Sequence, residues 1–412
     1  MFVQSKEFLI ELYDRLPWSV LSFTEPVIRN LKILLFFFSE LRVHVLLLHV
    51  SSEENNGPWD VIYIGHKQQV QILMDLLGRD DYRIGKSSTL FFWQIIPYLN
   101  GPESRADLVI ININRLLYRY IKPEHDFRIP DSVKSVLELS GSFDKVRRGF
   151  SDNIIRKINK YSSSDHNYKI LHDEPSLKHF YHEMYVPYIK RRFTERAVID
   201  SYYKTRRLLR TGFLLAVQTK RGLLSGAICR IRNDTFVFEL VGIEKGDITL
   251  LKEGALDLLY YYSILEAIDK KCSRIDFGIS RPFLNDGLVR YKRKWGTKIF
   301  RNQKQCREIA IRMGHSRNAA HTFFSDNYPI LLDNNDLSGL VLTKNEDPLD
   351  SSQIRHFKKA YYDLGLKRLF VCPSGEVSEE AETYCNVYPQ DTVRLISMTS
   401  GEWNKDNSPI GP

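Results

Sequence analysis

The sequence predicts an α+β fold whose centre is a mixed sheet, with an antiparallel meander joined to a strand–helix–strand crossover. Three apolar runs separated by tight turns predict the meander: 212–217, 223–230 and 235–243. A long stretch with one apolar helical face follows at 251–270. A further apolar run at 274–277 then predicts a strand parallel to the third meander strand.

The segments around this core are predicted in chain order. Before the meander, 168–171 is typical of a strand and 174–188 of a helix that ends near Pro187. After the crossover, 286–292 is typical of a short helix. In the N-terminal third, strands are predicted at 43–48, 61–65 and 108–113, with a helix at 68–77. In the C-terminal third, strands at 340–343 and 369–372 flank a helix at 352–364, which Gly365 would cap.

These patterns predict four segments. They are an N-terminal α/β domain at 1–142, a central domain at 143–305, a small α/β appendix at 306–400 and a disordered tail at 401–412.

Composition indicates in which cellular compartment the protein is found. The 412 residues include five cysteines, an odd number with no C-x-x-C pair, which argues against a disulfide framework and a zinc knuckle. The N-terminus lacks a signal-peptide pattern, and charges at Lys32, Glu40 and Arg42 interrupt the most apolar stretch, 31–50. We therefore expect a cytoplasmic protein with no membrane span and no bound metal.

The positive charge is concentrated in one region. The chain carries a net charge of +9, and residues 144–301 contain 32 Lys and Arg against 18 Asp and Glu. Such a region attracts polyanions, namely nucleic acid, tRNA or the phosphates of a nucleotide. An ordinary solvated basic surface is the alternative.

The most informative stretch lies after the crossover helix. It reads Ile275-Asp276-Phe277-Gly278, Ser280-Arg281-Pro282, Asn285-Asp286-Gly287 and Tyr291-Lys292-Arg293-Lys294-Trp295-Gly296. It resembles the C-terminal signature of FemAB-like and BioF2-like members of the GCN5-related N-acetyltransferase (GNAT) superfamily. The basic run 151–160 resembles the helix that opens the same domain.

The resemblance covers about 143–305 and implies a GNAT fold that transfers an acyl group to an amine. The donor would be acetyl-CoA or another acyl-CoA, or aminoacyl-tRNA in the FemAB branch. The donor's phosphates would lie at the start of the crossover helix, where backbone N–H groups and the helix dipole favour anions. The strict phosphate loop of the superfamily is absent, and Glu244, Asp247 and Glu253 would oppose an anion. Residues assigned to the donor are Val241, Gly242, Ile243, Lys245, Gly246, Lys252, Gly254 and Asn285.

Three residues are candidates for catalysis. Glu239, on an apolar strand, would have a raised pKa if buried and could act as general base, unless it forms an ion pair with Arg230. Tyr291 could protonate the leaving thiolate or simply pack in the core. Asp276 could orient the acceptor amine or cap the following turn. Residues assigned to the substrate are Arg281, Lys292, Lys294 and Trp295.

Three alternative functions are compatible with these residues. The first is an N-acyltransferase with an acyl-CoA donor and an amine acceptor. The second is an aminoacyl-tRNA-dependent enzyme that forms a peptide bond on a cell-wall or lipid-linked acceptor, with the N-terminal part as a candidate degenerate second GNAT-like half. The third is a non-catalytic nucleic-acid-binding or interaction protein on the same scaffold.

Overall fold

The structure is a computed structural model that describes most of the chain. It describes residues 41–50, 59–66, 82–121, 127–162, 165–194, 197–220, 222–303, 307–313, 323–324, 327–333, 336–343, 348–387 and 392–396. The helix predicted at 68–77 and the tail at 401–412 lie outside these residues. Contacts divide the chain into two units, and each is described by itself. The first contains Ser135–Gly278 and Tyr291–Lys298, and the second contains described parts of Leu31–Lys134, Ile279–Arg290 and Ile299–Pro412.

The elements are as follows. The strands are β1 (Arg42–Val50), β2 (Trp59–Gly65), β3 (Tyr82–Phe91), β4 (Leu108–Asn114), β5 (Phe127–Pro130), β6 (Val133–Glu138), β7 (Asn167–Leu171), β8 (Phe213–Thr219), β9 (Gly222–Arg232), β10 (Thr235–Ile243), β11 (Arg274–Ser280), β12 (Lys298–Arg301), β13 (Arg307–Met313), β14 (Ile330–Asp333), β15 (Asp336–Leu342), β16 (Leu369–Cys372) and β17 (Val393–Leu395). The α-helices are α1 (Ile95–Asn100), α2 (Arg115–Ile121), α3 (Phe143–Arg147), α4 (Asp152–Ser162), α5 (Glu174–His179), α6 (Val186–Phe193), α7 (Tyr202–Arg210), α8 (Thr249–Lys252), α9 (Ala255–Asp269), α10 (Gly287–Arg293), α11 (Ser351–Tyr361) and α12 (Glu379–Val387).

The predicted meander and crossover are confirmed in the first unit. Strands β7, β8, β9 and β10 pair antiparallel in sequence order, and β10 pairs parallel with β11. Helix α9 connects these last two strands, and the sheet order is β12–β6–β11–β10–β9–β8–β7. Apolar side chains of α4 and α9 pack with those of the sheet into one core. The predicted α+β class is therefore correct.

Two helices of the first unit differ from the prediction. The helix predicted to end near Pro187 continues through a π-helical turn, Phe180–Tyr185, into α6 and ends at Phe193. Pro187 lies directly after the π-helical turn, at the second residue of α6. The single helix predicted at 251–270 is divided into α8 and α9 by Gly254, whose φ of 95° lies in the left-handed region.

The second unit contains two sheets. In the larger one the order is β3–β1–β2–β4–β13–β5, and in the smaller one it is β14–β15–β16–β17. Strand β13 pairs antiparallel with β4 on one side and β5 on the other. The sequence assigned β4 and β5 to the N-terminal domain and β13 to the C-terminal appendix. In the structure these strands share one sheet.

Burial explains the composition of the larger sheet. All seven residues of β4 are buried, because apolar clusters cover both faces of the sheet there. Strand β3 lies at the edge, and most of its residues are exposed. Its polar sequence gave no strand pattern, so it was not predicted.

Candidate active site in the first unit

Strands β10 and β11 separate partway along their length. Their parallel pairing covers three residue pairs and ends at Val237 opposite Asp276. Strand β10 nevertheless runs on to Ile243, and β11 runs on to Ser280. We call the space between the strands beyond the last pair the β10/β11 fork. Ligands of open α/β sheets bind beyond the carboxyl ends of strands, so the fork is the candidate site.

The peptide of Gly278 is fixed on one side of the fork. Its N–H group donates to Oδ1 of Asp276 at 2.9 Å, and its carbonyl oxygen accepts from Nζ of Lys292 at 3.0 Å. Gly278 has a φ of 78°, and a Cβ placed there would meet only the Phe238 carbonyl oxygen, 3.9 Å away. The residue therefore requires glycine for its backbone conformation rather than for lack of space.

These contacts bear on two residues singled out in the sequence. Asp276 is buried and accepts a hydrogen bond from the Gly278 N–H group, which is the turn-capping role predicted as its alternative. Lys292, assigned to the substrate from the sequence, is only 3% exposed. Its ammonium group supports the strand end from inside the unit.

A buried carboxylate lies at the start of α9. Asp257, the third residue of that helix, is 4% exposed. Its Oδ2 accepts from Lys157 Nζ at 2.6 Å and from the Tyr161 hydroxyl at 3.4 Å, and its Oδ1 accepts from the Tyr291 hydroxyl at 2.9 Å. We call these four residues the α9 cluster. The first turn of a helix favours a carboxylate, and Lys157 compensates its charge.

The two tyrosines of the α9 cluster are held in the protonated form. Burial, and then the charge of Asp257, raise the pKa of Tyr291 well above its ordinary value. The same two causes raise the pKa of Tyr161. Both hydroxyl groups therefore keep their protons at neutral pH, and each donates a hydrogen bond to Asp257.

Aromatic rings connect the α9 cluster to the fork. The ring of Tyr260 stacks on Phe277 of β11 with centroids 4.2 Å apart, and it meets the Tyr291 ring edge-on at 5.2 Å. Phe238 of β10 lies 5.0 Å from Phe277. Tyr291 is thus one ring removed from the strand that forms the fork.

The three glycines assigned to the donor lie against protein atoms. A Cβ on Gly242 would come within 2.8 Å of the Tyr185 backbone nitrogen, and one on Gly246 within 2.6 Å of the Pro187 carbonyl carbon. A Cβ on Gly254 would lie 2.0 Å from the Tyr161 hydroxyl oxygen. Close packing therefore explains these glycines without a phosphate.

The other residues assigned to the donor divide into two kinds. Val241 and Ile243 lie in β10 and pack in the core of the first unit. Lys245, which has a φ of 52°, and Lys252 are exposed before and within α8. These two ammonium groups and the start of α9 suit the phosphates of a nucleotide.

Glu239 forms the ion pair with Arg230 that was predicted as the alternative to a general base. Its Oε1 accepts from Nε of Arg230 at 2.9 Å, from Nη2 of Arg230, and from Nη2 of Arg232 at 3.1 Å. The Glu239 and Arg230 side chains are 20% and 17% exposed. Two guanidinium groups stabilise the charged carboxylate, which weakens the case for a base.

The other residues assigned to the substrate, and Asn285 of the donor set, are divided between the two units. Trp295 is fully buried and meets Phe150 edge-on at 5.3 Å, so its ring packs in the core of the first unit. Lys294 is exposed in the first unit. In the second unit, Arg281 Nε donates to Oδ2 of Asp286 at 2.9 Å, and Oδ1 of Asn285 accepts from the Tyr328 N–H group at 3.4 Å.

Sequence reasoning missed Asp257. An acidic residue in the first turn of a helix is common, and nothing nearby marked this one. Its partners come from α4 and α10, about 100 and 34 positions away. Within the described residues, no group of three or more His, Cys, Asp or Glu side chains could hold a metal ion. No helix in the described part of the chain is long and apolar enough to cross a membrane.

Comparison with known proteins finds similar folds. No protein-family description and no curated protein matches this sequence. Among solved structures, L-PGS from Bacillus licheniformis is 12% identical with a TM-score of 0.35, and the match covers 66% of this chain and 86% of that one. FemX is 12% identical with a TM-score of 0.36 over 64% and 83%.

A putative acetyltransferase from the GNAT family of Novosphingobium aromaticivorans is 11% identical, with a TM-score of 0.25 over 56% of this chain and 84% of that one. The function proposed below rests on the contacts within this chain.

Proposed function

We propose that this chain is an acyltransferase that transfers an acyl group from acetyl-CoA or another acyl-CoA to an amine, with the reacting carbonyl at the β10/β11 fork. The observation that supports this most directly is the fork with a protonated tyrosine beside it. The pairing ends at Val237 and Asp276, and Tyr291 lies one ring away from β11.

The reaction is a direct transfer. The amine nitrogen attacks the thioester carbonyl carbon, the carbon–nitrogen bond forms, and the carbon–sulfur bond breaks. The nitrogen loses its proton to water. The departing thiolate takes a proton from the Tyr291 hydroxyl, which breaks its hydrogen bond to Asp257 to give it, and the tyrosinate then recovers a proton from water. No covalent enzyme intermediate is needed, since holding the two reactants together supplies much of the rate.

The residues fit a nucleotide-bearing donor. Exposed Lys245 and Lys252 lie on the segment that leads into α9, and the first N–H groups of a helix have no partner within it. The Asp257 carboxylate would oppose a phosphate, but Lys157 at 2.6 Å offsets its charge. Acyl-CoA is therefore the first donor to test.

Calorimetric titration with acetyl-CoA and with CoA, followed by a thiol-release assay over a panel of amines, tests the proposal. We expect saturable binding and release of one thiol per acylated amine. Replacing Tyr291 by phenylalanine should lower kcat about 10²–10⁴-fold with donor binding unchanged. The matched control is Tyr168→Phe, which removes a hydroxyl that donates to Glu266 at 2.8 Å. Equal turnover of wild type and Tyr291→Phe would refute the role of Tyr291, and absence of donor binding would refute the acyl-CoA proposal.

An aminoacyl-tRNA donor is the second candidate, with a cell-wall or lipid-linked acceptor. Exposed cations on α3, α4 and α6, and directly after α3, favour it: Lys145, Arg148, Arg156, Lys160 and Lys190. Transfer that ribonuclease abolishes, with tRNA binding that weakens steeply as salt rises, would select this donor. A chain that binds RNA but transfers nothing from either donor would instead be the non-catalytic scaffold.

A further inference from the structure

An exposed aromatic surface lies at one edge of the larger sheet of the second unit. We call Phe91, Trp93, Leu116 and Tyr120 the aromatic patch. Their exposed fractions are 37%, 48%, 57% and 52%. Soluble surfaces rarely expose several large apolar side chains together without a partner.

Contacts hold these rings in a defined arrangement. Trp93 stacks on Phe91 with centroids 4.7 Å apart and planes 4° from parallel. Phe92 lies between the two halves of the patch, because it meets Trp93 at 5.2 Å and Tyr120 at 5.7 Å, both edge-on. Leu116 is one helical turn before Tyr120 on α2. The patch is therefore continuous and built on secondary structure.

The elements that carry the patch have positive charge only. The sequences of β1, β3, Phe92–Gln94, α1 and α2 contain no aspartate or glutamate. The exposed cations Arg42 and Arg115 belong to them, and the Arg42 guanidinium lies 5.3 Å from the centre of the Phe91 ring. A partner of this surface must accept apolar rings and offer negative charge.

We infer that the aromatic patch binds the interface of an anionic phospholipid bilayer. Tryptophan and tyrosine favour the depth of the lipid headgroups, where an apolar ring and a polar edge are both satisfied. Arginines around them attract acidic headgroups. The protein lies on the bilayer through this surface, as a monotopic protein does.

Co-sedimentation of the full chain with vesicles tests the inference. We expect stronger binding to an equimolar phosphatidylcholine–phosphatidylglycerol mixture than to phosphatidylcholine alone. The double variant Trp93→Glu, Tyr120→Glu should reduce binding to the anionic vesicles about tenfold or more. Arg42→Gln should reduce it about fivefold on anionic vesicles only. The matched control is Ile248→Glu, in the first unit, because Ile248 is 48% exposed, as Trp93 is.

Several results would overturn the inference. They are no binding to either vesicle, equal binding by wild type and the double variant, or an equal loss in the Ile248→Glu control. A dimer that the double variant converts to a monomer, with no vesicle binding, would assign the patch to a second copy. If the double variant unfolds, the single change Trp93→Ala serves instead.

Discussion

Replacing Glu239 by glutamine keeps the shape of the side chain and removes its charge. In the structure its Oε1 accepts hydrogen bonds from Arg230 and Arg232. Hydrogen bonds to charged partners contribute about 1.5–3 kcal/mol, and neutral ones about 0.5–1.5 kcal/mol. Breaking a fully buried pair costs about 3–5 kcal/mol. Arg230 is 17% exposed and also donates to Thr211, so we expect the free energy of unfolding to fall by about 2 kcal/mol.

Urea unfolding of wild type and variant measures this loss, and the thiol-release assay measures turnover on the same preparations. The control is Arg232→Gln, because the Arg232 side chain is 46% exposed and exposed pairs contribute about 0–1 kcal/mol. We expect Glu239→Gln to lose stability and to keep most of its turnover. A hundredfold fall in turnover with unchanged unfolding would refute this reasoning and restore Glu239 as the general base.

Three further variants of the first unit are predicted to change the stability of the protein, and a glycine of the second unit, Gly287, supplies a control. Gly278→Ala should lower the free energy of unfolding by about 1–2 kcal/mol, because its φ is left-handed. Gly287→Ala, where φ is ordinary and no atom lies within 4 Å, should leave it unchanged in the same urea titration, and equal effects would contradict the conformational cause. Gly254→Ala should destabilise more than Gly278→Ala, since it adds a steric clash. Burial and a hydrogen bond to Glu266 raise the pKa of Tyr168 from 10.0 to about 12. The stability that this shift provides is present below pH 10 and lost as the pH rises to about 12, so Tyr168→Phe should show a shallower alkaline loss.

Local patterns were enough to predict the meander and the crossover. Strands β8, β9 and β10 are apolar, closely spaced and joined by short turns, so their neighbours in sequence are also their neighbours in the sheet. The ion pair of Glu239 was also predictable, as the alternative to a general base, because Arg230 lies on the neighbouring strand of the same hairpin. Contacts between strands that are neighbours in sequence depend only on the two-residue period of each strand and on the length of the turn between them.

Contacts between distant segments could not be predicted in this way. Acidic residues are common in the first turn of a helix, and no neighbour in sequence distinguishes Asp257 from them. Its role depends on Lys157 and Tyr291, which lie on other helices. The burial of Lys292 and Trp295 could not be predicted for a related reason. A basic–aromatic run resembles a surface, but the helix and turn that carry it direct these two side chains inward.

The position of β13 has a consequence for how this protein is made. Strands β4 and β5 leave the ribosome long before Arg307–Met313, the strand that lies between them. Until then both strands have open edges that can pair with other chains. A shortened product that ends at residue 305 would keep those edges permanently. Expression of the N-terminal 142 residues alone should therefore yield aggregates, whereas supplying β13 in the same chain completes the sheet.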